Sequence, residues 1–190
     1  LITPRMPRRD ERLEWAEAKL LECRTIALRY FGTRLKVEHK PDHSPVTIAD
    51  RTIEQRLRRQ IERALGGEVI VGEEFGASSD IRSSYWTIDP IDGTRPFSKG
   101  LPTWGILLGY VERGKPVLGV AVYPTLDTVL AIGPRTAPYE RRNGRVRPLE
   151  RVRRAPHLSQ AVVFHGGSKW WMNMPYEQGF RRLVKTCYLE

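Results

Sequence analysis

Residues 86–105 read WTIDPIDGTRPFSKGLPTWG, in which Asp89 and Asp92 lie on either side of Pro90 and are followed at once by a Gly-Thr pair. The apolar residues before Asp89 predict a strand that delivers this aspartate at its end. Proline fixes its own φ and keeps the preceding residue out of the helical region, so we expect Asp89 to stay extended while the chain turns. The two carboxylates can then converge on one point. Because crowded carboxylates are unfavourable alone, the stretch predicts a positively charged partner.

The chemistry of this stretch favours a metal ion and a phosphate group. Carboxylate oxygens suit Mg²⁺ or Mn²⁺, and the carbonyl of Ile91 offers a further oxygen between the two aspartates. Gly93 lets the backbone come close to a ligand, and Thr94 is placed to begin a helix whose free N–H groups attract phosphate. Asp-Pro and Asp-Gly pairs are also common in ordinary turns, so the motif by itself leaves both interpretations open.

Two earlier segments supply further acidic residues. The apolar period predicts a helix from about Thr47 to Leu65, with Asp50 in its first turn, where an acid also serves as a cap. The sequence EVIVG at 68–72 predicts a buried strand that delivers Glu73 and Glu74 at its end. We expect Glu73 and Asp50 to complete the acidic cluster if the fold brings these element ends together. Glu74 is interpreted as a solvent-facing or supporting neighbour.

The remaining elements predict the fold class. A helix is expected over Asp10–Phe31, an irregular loop over 36–45, a hairpin at Asn143-Gly144, a strand at Ala161–His165 and a helix over Tyr176–Val184. Apolar strands joined by short turns are expected at 104–111, 116–123 and 127–133. Two helices on a large, mostly antiparallel sheet give an α+β fold, layered as an α/β/α sandwich.

Composition restricts the class of protein. The chain has 190 residues and no apolar run approaching the ~20 residues of a membrane-spanning helix, and no signal peptide is recognised. Residues 1–190 are predicted to form a single domain, with 1–12 a flexible or vector-derived start. Neither Cys23 nor Cys187 has the spacing of a disulfide framework or metal site, so a cytoplasmic location is expected.

The basic composition has two readings. A formal net charge of +10 could indicate nucleic-acid binding, which would weaken steeply with salt. The excess charge is dispersed over four segments, which favours solvated faces or an anionic small substrate. These segments are 5–12, 51–63, 141–154 and 181–185. We expect no nucleic-acid and no membrane partner, and a basic nucleic-acid-binding module is the alternative from another class.

Taken together, VTIAD at 46–50, VGEE at 71–74 and DPIDGT at 89–94 resemble the inositol monophosphatase-like, Mg²⁺-dependent phosphomonoesterases. The resemblance runs from about Leu13 to the last residue. SPVTIAD and GTRPFSKGLPTWG look more like the histidinol-phosphatase branch than the inositol branch, which tends to have Thr-Asn after DGT.

The resemblance implies the inositol monophosphatase and fructose-1,6-bisphosphatase-like fold, a homodimer and a small phosphate-ester substrate. L-Histidinol phosphate is the leading candidate, with inositol monophosphate, fructose 1,6-bisphosphate and a 3′-phosphonucleotide as alternatives.

The resemblance also implies the metal site. Glu73, Asp89 and the backbone carbonyl of Ile91 would hold a first Mg²⁺, with Mn²⁺ as a substitute. Asp89 and Asp92 would bridge toward a second ion.

Catalytic roles follow from the same resemblance. Thr94 and Asp50 would form a hydrogen-bonded pair that helps to take a proton from water, and Glu73 would contact that water. The amides of Gly93 and Thr94 would hold the phosphate. Water would attack phosphorus in line, without a covalent intermediate.

Two loops complete the resemblance. FHGGSKWW at 164–171 lies where the family has its substrate loop, so Gly167, Ser168 and Lys169 are expected to contact substrate, and the tryptophans either stack on a ring or pack in the core. Lys40 lies in a loop that carries metal-proximal residues in the family, although a solvated lysine fits equally.

One departure from the family pattern is clear. The family has a later Trp-Asp motif whose aspartate completes the second metal site, and no Trp-Asp pair occurs in these residues. We expect the sequence to be a fragment of a longer chain. The alternatives are a truncated, impaired homologue and a non-catalytic homologue that acts as a binding partner.

Overall fold

The computed structural model describes residues 9–81, 84–151, 154–165, 171–172 and 174–188. The chain divides after Leu149 into two compact units, and the second comprises Glu150–Glu190. That the whole chain acts as a single phosphatase domain remains a prediction.

Two long helices form as the periodicity predicts. Helix α1 spans Arg9–Tyr30 and helix α2 spans Ile48–Leu65. Helix α1 includes residues 9–12, and the flexible or vector-derived start over 1–12 stays a prediction. Thr47 caps α2 through a capping box with Asp50, which satisfies amides that the helix start would otherwise leave unpaired. Among the described residues, no helix is long and apolar enough to span a membrane.

The segment 36–45, predicted as an irregular loop, contains a small antiparallel ribbon. Strand β1, Glu38–His39, pairs with β2, Pro45–Val46. The tight turn between them places His43 at a φ of 63°. With only two residues in each strand, the ribbon has no alternating pattern long enough to recognise in the sequence.

The first unit is built on an eight-stranded sheet with the order β10-β9-β8-β7-β6-β5-β3-β4. Its strands are β3 Ile70–Gly72, β4 Gly76–Ala77, β5 Tyr85–Asp92, β6 Gly105–Glu112, β7 Lys115–Tyr123, β8 Thr128–Gly133, β9 Thr136–Arg142 and β10 Arg145–Pro148. Among the pairs that these described strands form, only β3–β5 is parallel, which confirms the predicted mostly antiparallel sheet and the α+β class.

The core lies between the helices and one face of this sheet. Ile88, Leu108, Val120 and Ala131 stand opposite one another on four adjacent strands, and all four are buried. Helix α1 packs on β6, β7 and β8, and α2 packs on α1 and β5. This packing fixes the first turn of α2 beside the end of β5.

The sequence predicted that this strand ends at Asp89, but β5 continues through Pro90 to Asp92. Its pairing with β6 shifts register between Asp89 and Asp92. Proline cannot donate a ladder hydrogen bond, so a bulge accommodates it and the strand resumes beyond. Helix α3, Thr94–Ser98, follows directly and confirms the predicted helix start at Thr94.

In the second unit, helix α4 spans Glu177–Thr186 and confirms the predicted helix there. The strand predicted at Ala161–His165 is wrong, because this segment has only an isolated bridge residue, Val162. Val162 is 47% exposed and Phe164 is 89% exposed. Apolar residues that stay in solvent gain no burial that would hold them in a sheet.

Candidate active site

The parallel pairing of β3 and β5 brings their carboxyl ends together at one edge of the sheet. The Glu73 N–H donates to the carbonyl of Ile88 at 3.1 Å, which places Glu73 beside Asp89. Glu73 and Asp92 both lie near enough to Asp89 for their negative charges to raise its pKa. The structure therefore places Glu73 and Asp92 each close enough to Asp89 to affect its charge.

Asp89 is the most perturbed group of this cluster. Burial raises its pKa to about 8, and the negative charges of Glu73 and Asp92 act in the same direction. The N–H of Ile91 donates to the carboxylate and partly opposes the increase. Asp89 Oδ1 is buried and has no hydrogen-bond partner within the described ranges. Such a carboxylate is stabilised by a cation and destabilised without one.

The oxygen donors suit a hard divalent cation, although the described residues do not form a complete coordination site. No three His, Cys, Asp or Glu side chains in this part of the chain are gathered as a metal site. Glu73 and Asp92 instead each act on Asp89 through their negative charge, and Asp89 Oδ1 has no hydrogen-bond partner among the described residues. A cation would relieve the crowding, and an all-oxygen donor set suits Mg²⁺ or Mn²⁺. Glu73, Asp89, Asp92 and the carbonyl of Ile91 thus remain the predicted ligands.

Thr94 and Asp50 lie together in a buried pair behind this cluster. Thr94 Oγ1 lies 3.2 Å from Asp50 Oδ1 and 3.2 Å from the carbonyl oxygen of Ile91. Asp50 Oδ2 accepts from the Thr47 backbone N–H at 2.8 Å and from the Thr47 hydroxyl at 2.5 Å. Asp50 therefore caps α2 and also contacts Thr94. Burial raises its pKa, and the hydrogen bonds from Thr47 and Thr94 oppose that effect.

Gly93 makes the turn between β5 and α3. It has a φ of 92°, which disfavours residues with a side chain. A Cβ atom at Gly93 would lie 2.9 Å from the carbonyl oxygen of Thr103 and 3.1 Å from Pro96 Cγ. The position therefore requires glycine for both space and conformation. Phosphate binding by the amides of Gly93 and Thr94 remains a prediction.

A lysine already lies in the acidic cluster. Lys40 Nζ is 2.9 Å from Glu73 Oε1 and 2.9 Å from Glu74 Oε1. The β1–β2 ribbon, which the sequence did not predict, carries Lys40 to this position. Glu74 is not solvent-facing, since its side chain is 3% exposed; burial raises its pKa, and Lys40 opposes that increase.

The sequence interpretation missed one buried acid at this site. Glu54 is fully buried on α2, one turn beyond Asp50, and contacts the segment that carries Glu73. The available signal was its position beside Ile53 on the apolar face of an amphipathic helix, where a charged residue is unusual.

The predicted substrate-contact residues Gly167, Ser168 and Lys169 lie outside the described residues. Trp171 is described, and its ring stacks on Phe180 with centroids 4.8 Å apart. This favours packing within the second unit over stacking on a ligand for Trp171.

Comparison with known proteins gives a consistent result. The inositol monophosphatase family model matches residues 9–166. A histidinol-phosphatase of Mycobacterium tuberculosis is 40% identical over 100 residues, covering 53% of this chain and 38% of that protein. A histidinol-phosphatase of Streptomyces coelicolor is 38% identical over 121 residues, covering 62% of this chain and 45% of that protein.

Solved structures share the fold. An inositol monophosphatase of Zymomonas mobilis superposes with a TM-score of 0.77 at 29% identity, covering 96% of this chain and 69% of that chain. The chain spans less than half the length of both histidinol-phosphatases described above.

Proposed function

Because the chain belongs to the inositol monophosphatase family, we propose that it acts as a metal-dependent phosphoric monoester hydrolase. The observation that carries the proposal is the closeness of the negative charges of Glu73 and Asp92 to the half-buried carboxylate of Asp89, next to the Thr94–Asp50 pair. A carboxylate cluster beside a buried hydroxyl–carboxylate pair supplies the two parts that phosphate hydrolysis needs. One part holds a cation, and the other accepts a proton from water.

Each residue has a definite role in this proposal. Glu73, Asp89, Asp92 and the carbonyl of Ile91 would hold Mg²⁺, which lowers the pKa of water and neutralises phosphate charge when bound. The hydroxyl of Thr94 can donate to Asp50 Oδ1 and keep lone pairs free to accept a hydrogen from the attacking water.

The environment of Asp50 supports its part in proton transfer. Two hydrogen bonds from Thr47 to Oδ2 hold the carboxylate in place, so Oδ1 stays directed at Thr94.

We propose L-histidinol phosphate as the substrate. Two histidinol-phosphatases at 40% and 38% identity support this choice, and so does the motif at 93–105. The structural similarity to an inositol monophosphatase at 29% identity keeps an inositol phosphate as the second candidate. A cytoplasmic homodimer is proposed from the family resemblance.

The test is phosphate release from L-histidinol phosphate and from inositol 1-phosphate, measured side by side on the full-length gene product with Mg²⁺ or with EDTA. We expect Mg²⁺-dependent release from histidinol phosphate. Preference for the inositol ester would change the substrate and leave the reaction class standing. Release that is insensitive to EDTA, or no release from either ester together with no binding of Mn²⁺, would overturn the proposed function.

A further inference from the structure

Glu54 is a buried carboxylate that the catalytic proposal does not use. Its side chain is fully buried in the middle of α2, among apolar residues such as Ile53 and Leu57. Burying a charge is unfavourable unless hydrogen bonds and a counter-charge compensate for it, and well-packed apolar residues often replace buried ion pairs without loss of stability. The partners of Glu54 therefore indicate what the carboxylate is for.

Both oxygens of Glu54 accept hydrogen bonds from the turn that follows β3. Glu54 Oε2 accepts from the Glu74 N–H at 2.7 Å, and Oε1 accepts from the Phe75 N–H at 3.2 Å. Arg58, one turn later on α2, donates to Oε1 at 2.8 Å and supplies the counter-charge. Helix α2 is thus joined to two successive amides of this turn.

Two further features show that the turn and the helix fit each other closely. A Cβ atom at Gly72 would lie 1.9 Å from Glu54 Oε1, so only glycine leaves room for the carboxylate. The guanidinium of Arg58 also donates to the carbonyl of Gly76. The carboxylate and its counter-ion therefore hold the turn from Gly72 to Gly76 at several points.

Glu73 lies between two peptide planes that are each fixed from outside. Its own N–H donates to Ile88 on β5 at 3.1 Å, which fixes the plane before it. The N–H of Glu74 donates to Glu54, which fixes the plane after it. With both planes held, the φ and ψ of Glu73 are set, and only its side-chain torsions remain free.

We propose that Glu54 is a positioning residue that, through the amides of Glu74 and Phe75, sets the place of the Glu73 carboxylate and so the affinity of the site for a divalent cation. The inference rests on the proposed function, since it concerns the same site. Glu54 itself would contact neither the cation nor the substrate.

Glu54→Gln is the direct test because glutamine keeps the size of the side chain but cannot satisfy its surroundings. In one amide orientation the NH₂ group faces the Glu74 N–H, and in the other it faces the Phe75 N–H and Arg58. A donor meets a donor in both cases. Glu54→Asp is the second variant, because it keeps the charge for Arg58 but shortens the reach to the two amides, so the fold retains its ion pair.

Two control variants lie on the same helix. Glu62→Gln removes an equal charge from an exposed position. Leu57→Ala destabilises the buried face of α2 but removes no hydrogen bond to the turn, because a leucine side chain has no polar atoms. A purely structural role for Glu54 would make its variants behave like Leu57→Ala at matched stability.

The first readout, amide hydrogen exchange in metal-free protein, does not depend on catalysis. We expect exchange at Glu74 and Phe75 to accelerate on the order of 10-fold or more in both Glu54 variants and to stay unchanged in Glu62→Gln. Unchanged protection of these two amides would overturn the inference.

The second readout is calorimetric titration with Mn²⁺. We expect the Glu54 variants to bind about 10–100-fold more weakly, as for a residue that orients a ligand, and both controls to bind like the unsubstituted protein. Equal binding by Glu54→Gln, or equal weakening in Leu57→Ala, would refute positioning and leave the proposed function intact. If the unsubstituted protein binds no Mn²⁺, the proposed function fails, and the exchange measurement still decides whether Glu54 holds the turn.

Discussion

Replacing Asp89 by asparagine should stabilise the metal-free protein at alkaline pH and abolish binding of a divalent cation. The pKa of Asp89 is raised from 3.8 to about 8, first by burial and then by Glu73 and Asp92. Between these two values the folded chain holds a proton on the Glu73–Asp89 pair that the unfolded chain has released. The free energy of unfolding must therefore fall as the pH rises through this window.

The size of the effect follows from the same shift. At about 1.4 kcal/mol for each pKa unit, the full change corresponds to an upper limit of about 6 kcal/mol. Asp89 keeps partial contact with solvent, which screens the charge. We therefore expect the unsubstituted protein to lose on the order of 1–3 kcal/mol between pH 5 and pH 8 in EDTA. Asparagine has nearly the same size, does not titrate and can donate to Glu73.

Urea unfolding in EDTA at several pH values measures this difference, with Glu62→Gln as the control for loss of an acidic group elsewhere. The free energy of unfolding of Asp89→Asn, relative to that of the unsubstituted protein, should increase steadily from pH 5 to pH 8. The Glu62→Gln control should keep a constant difference from the unsubstituted protein over the same range. Parallel profiles for Asp89→Asn, or lower stability than the unsubstituted protein at pH 8, would refute the argument that Asp89 is electrostatically strained without a cation.

Three further substitutions test the rest of the site in activity and unfolding assays. Asp92→Asn should abolish hydrolysis with little effect on the unfolding midpoint, since the side chain is exposed and changes little in volume; normal turnover would remove Asp92 from the metal site. Thr94→Ala should lower kcat on the order of 10²-fold or more, with recovery in Thr94→Ser, if the hydroxyl takes part in proton removal; an unchanged kcat would leave Thr94 only a role in the turn. Gly93→Ala should lower the free energy of unfolding by about 1–3 kcal/mol because of its positive φ and the contact with Thr103, and an unfolding curve that does not move would contradict this.

Local sequence signals predicted most of the fold. The apolar period predicted the start of α2 near Thr47, where the structure shows a capping box, and Asn143-Gly144 forms a turn in which both residues have positive φ, 49° and 74°. These features depend on residues that are close in sequence, where propensity and side-chain capping determine the conformation.

The incorrect predictions concern contacts between distant residues. Pro90 should end a strand by its local preference, but pairing with β6 continues across a bulge to Asp92. The segment 161–165 is an apolar run typical of a strand, yet Val162 and Phe164 stay exposed. In the sequence, Lys40 and Glu54 look like ordinary charged residues, because their partners Glu73 and Glu74 lie 33 and 20 positions further along the chain. Only the fold brings each of them into contact with its partner.

Helix α2 links the two chemical parts of the site because Asp50 and Glu54 are four residues apart. That spacing places both carboxylates on the same buried face, about 6 Å apart along the helix axis. Asp50 contacts Thr94, the proposed site of proton transfer, and Glu54 contacts the turn that carries Glu73, a proposed cation ligand. The apolar residues Ile53 and Leu57 hold this helix against α1 and the sheet. The distance between the Thr94–Asp50 pair and the turn that carries Glu73 is therefore set by one rigid element, which accounts for two costly buried acids on a helix whose other buried residues are apolar.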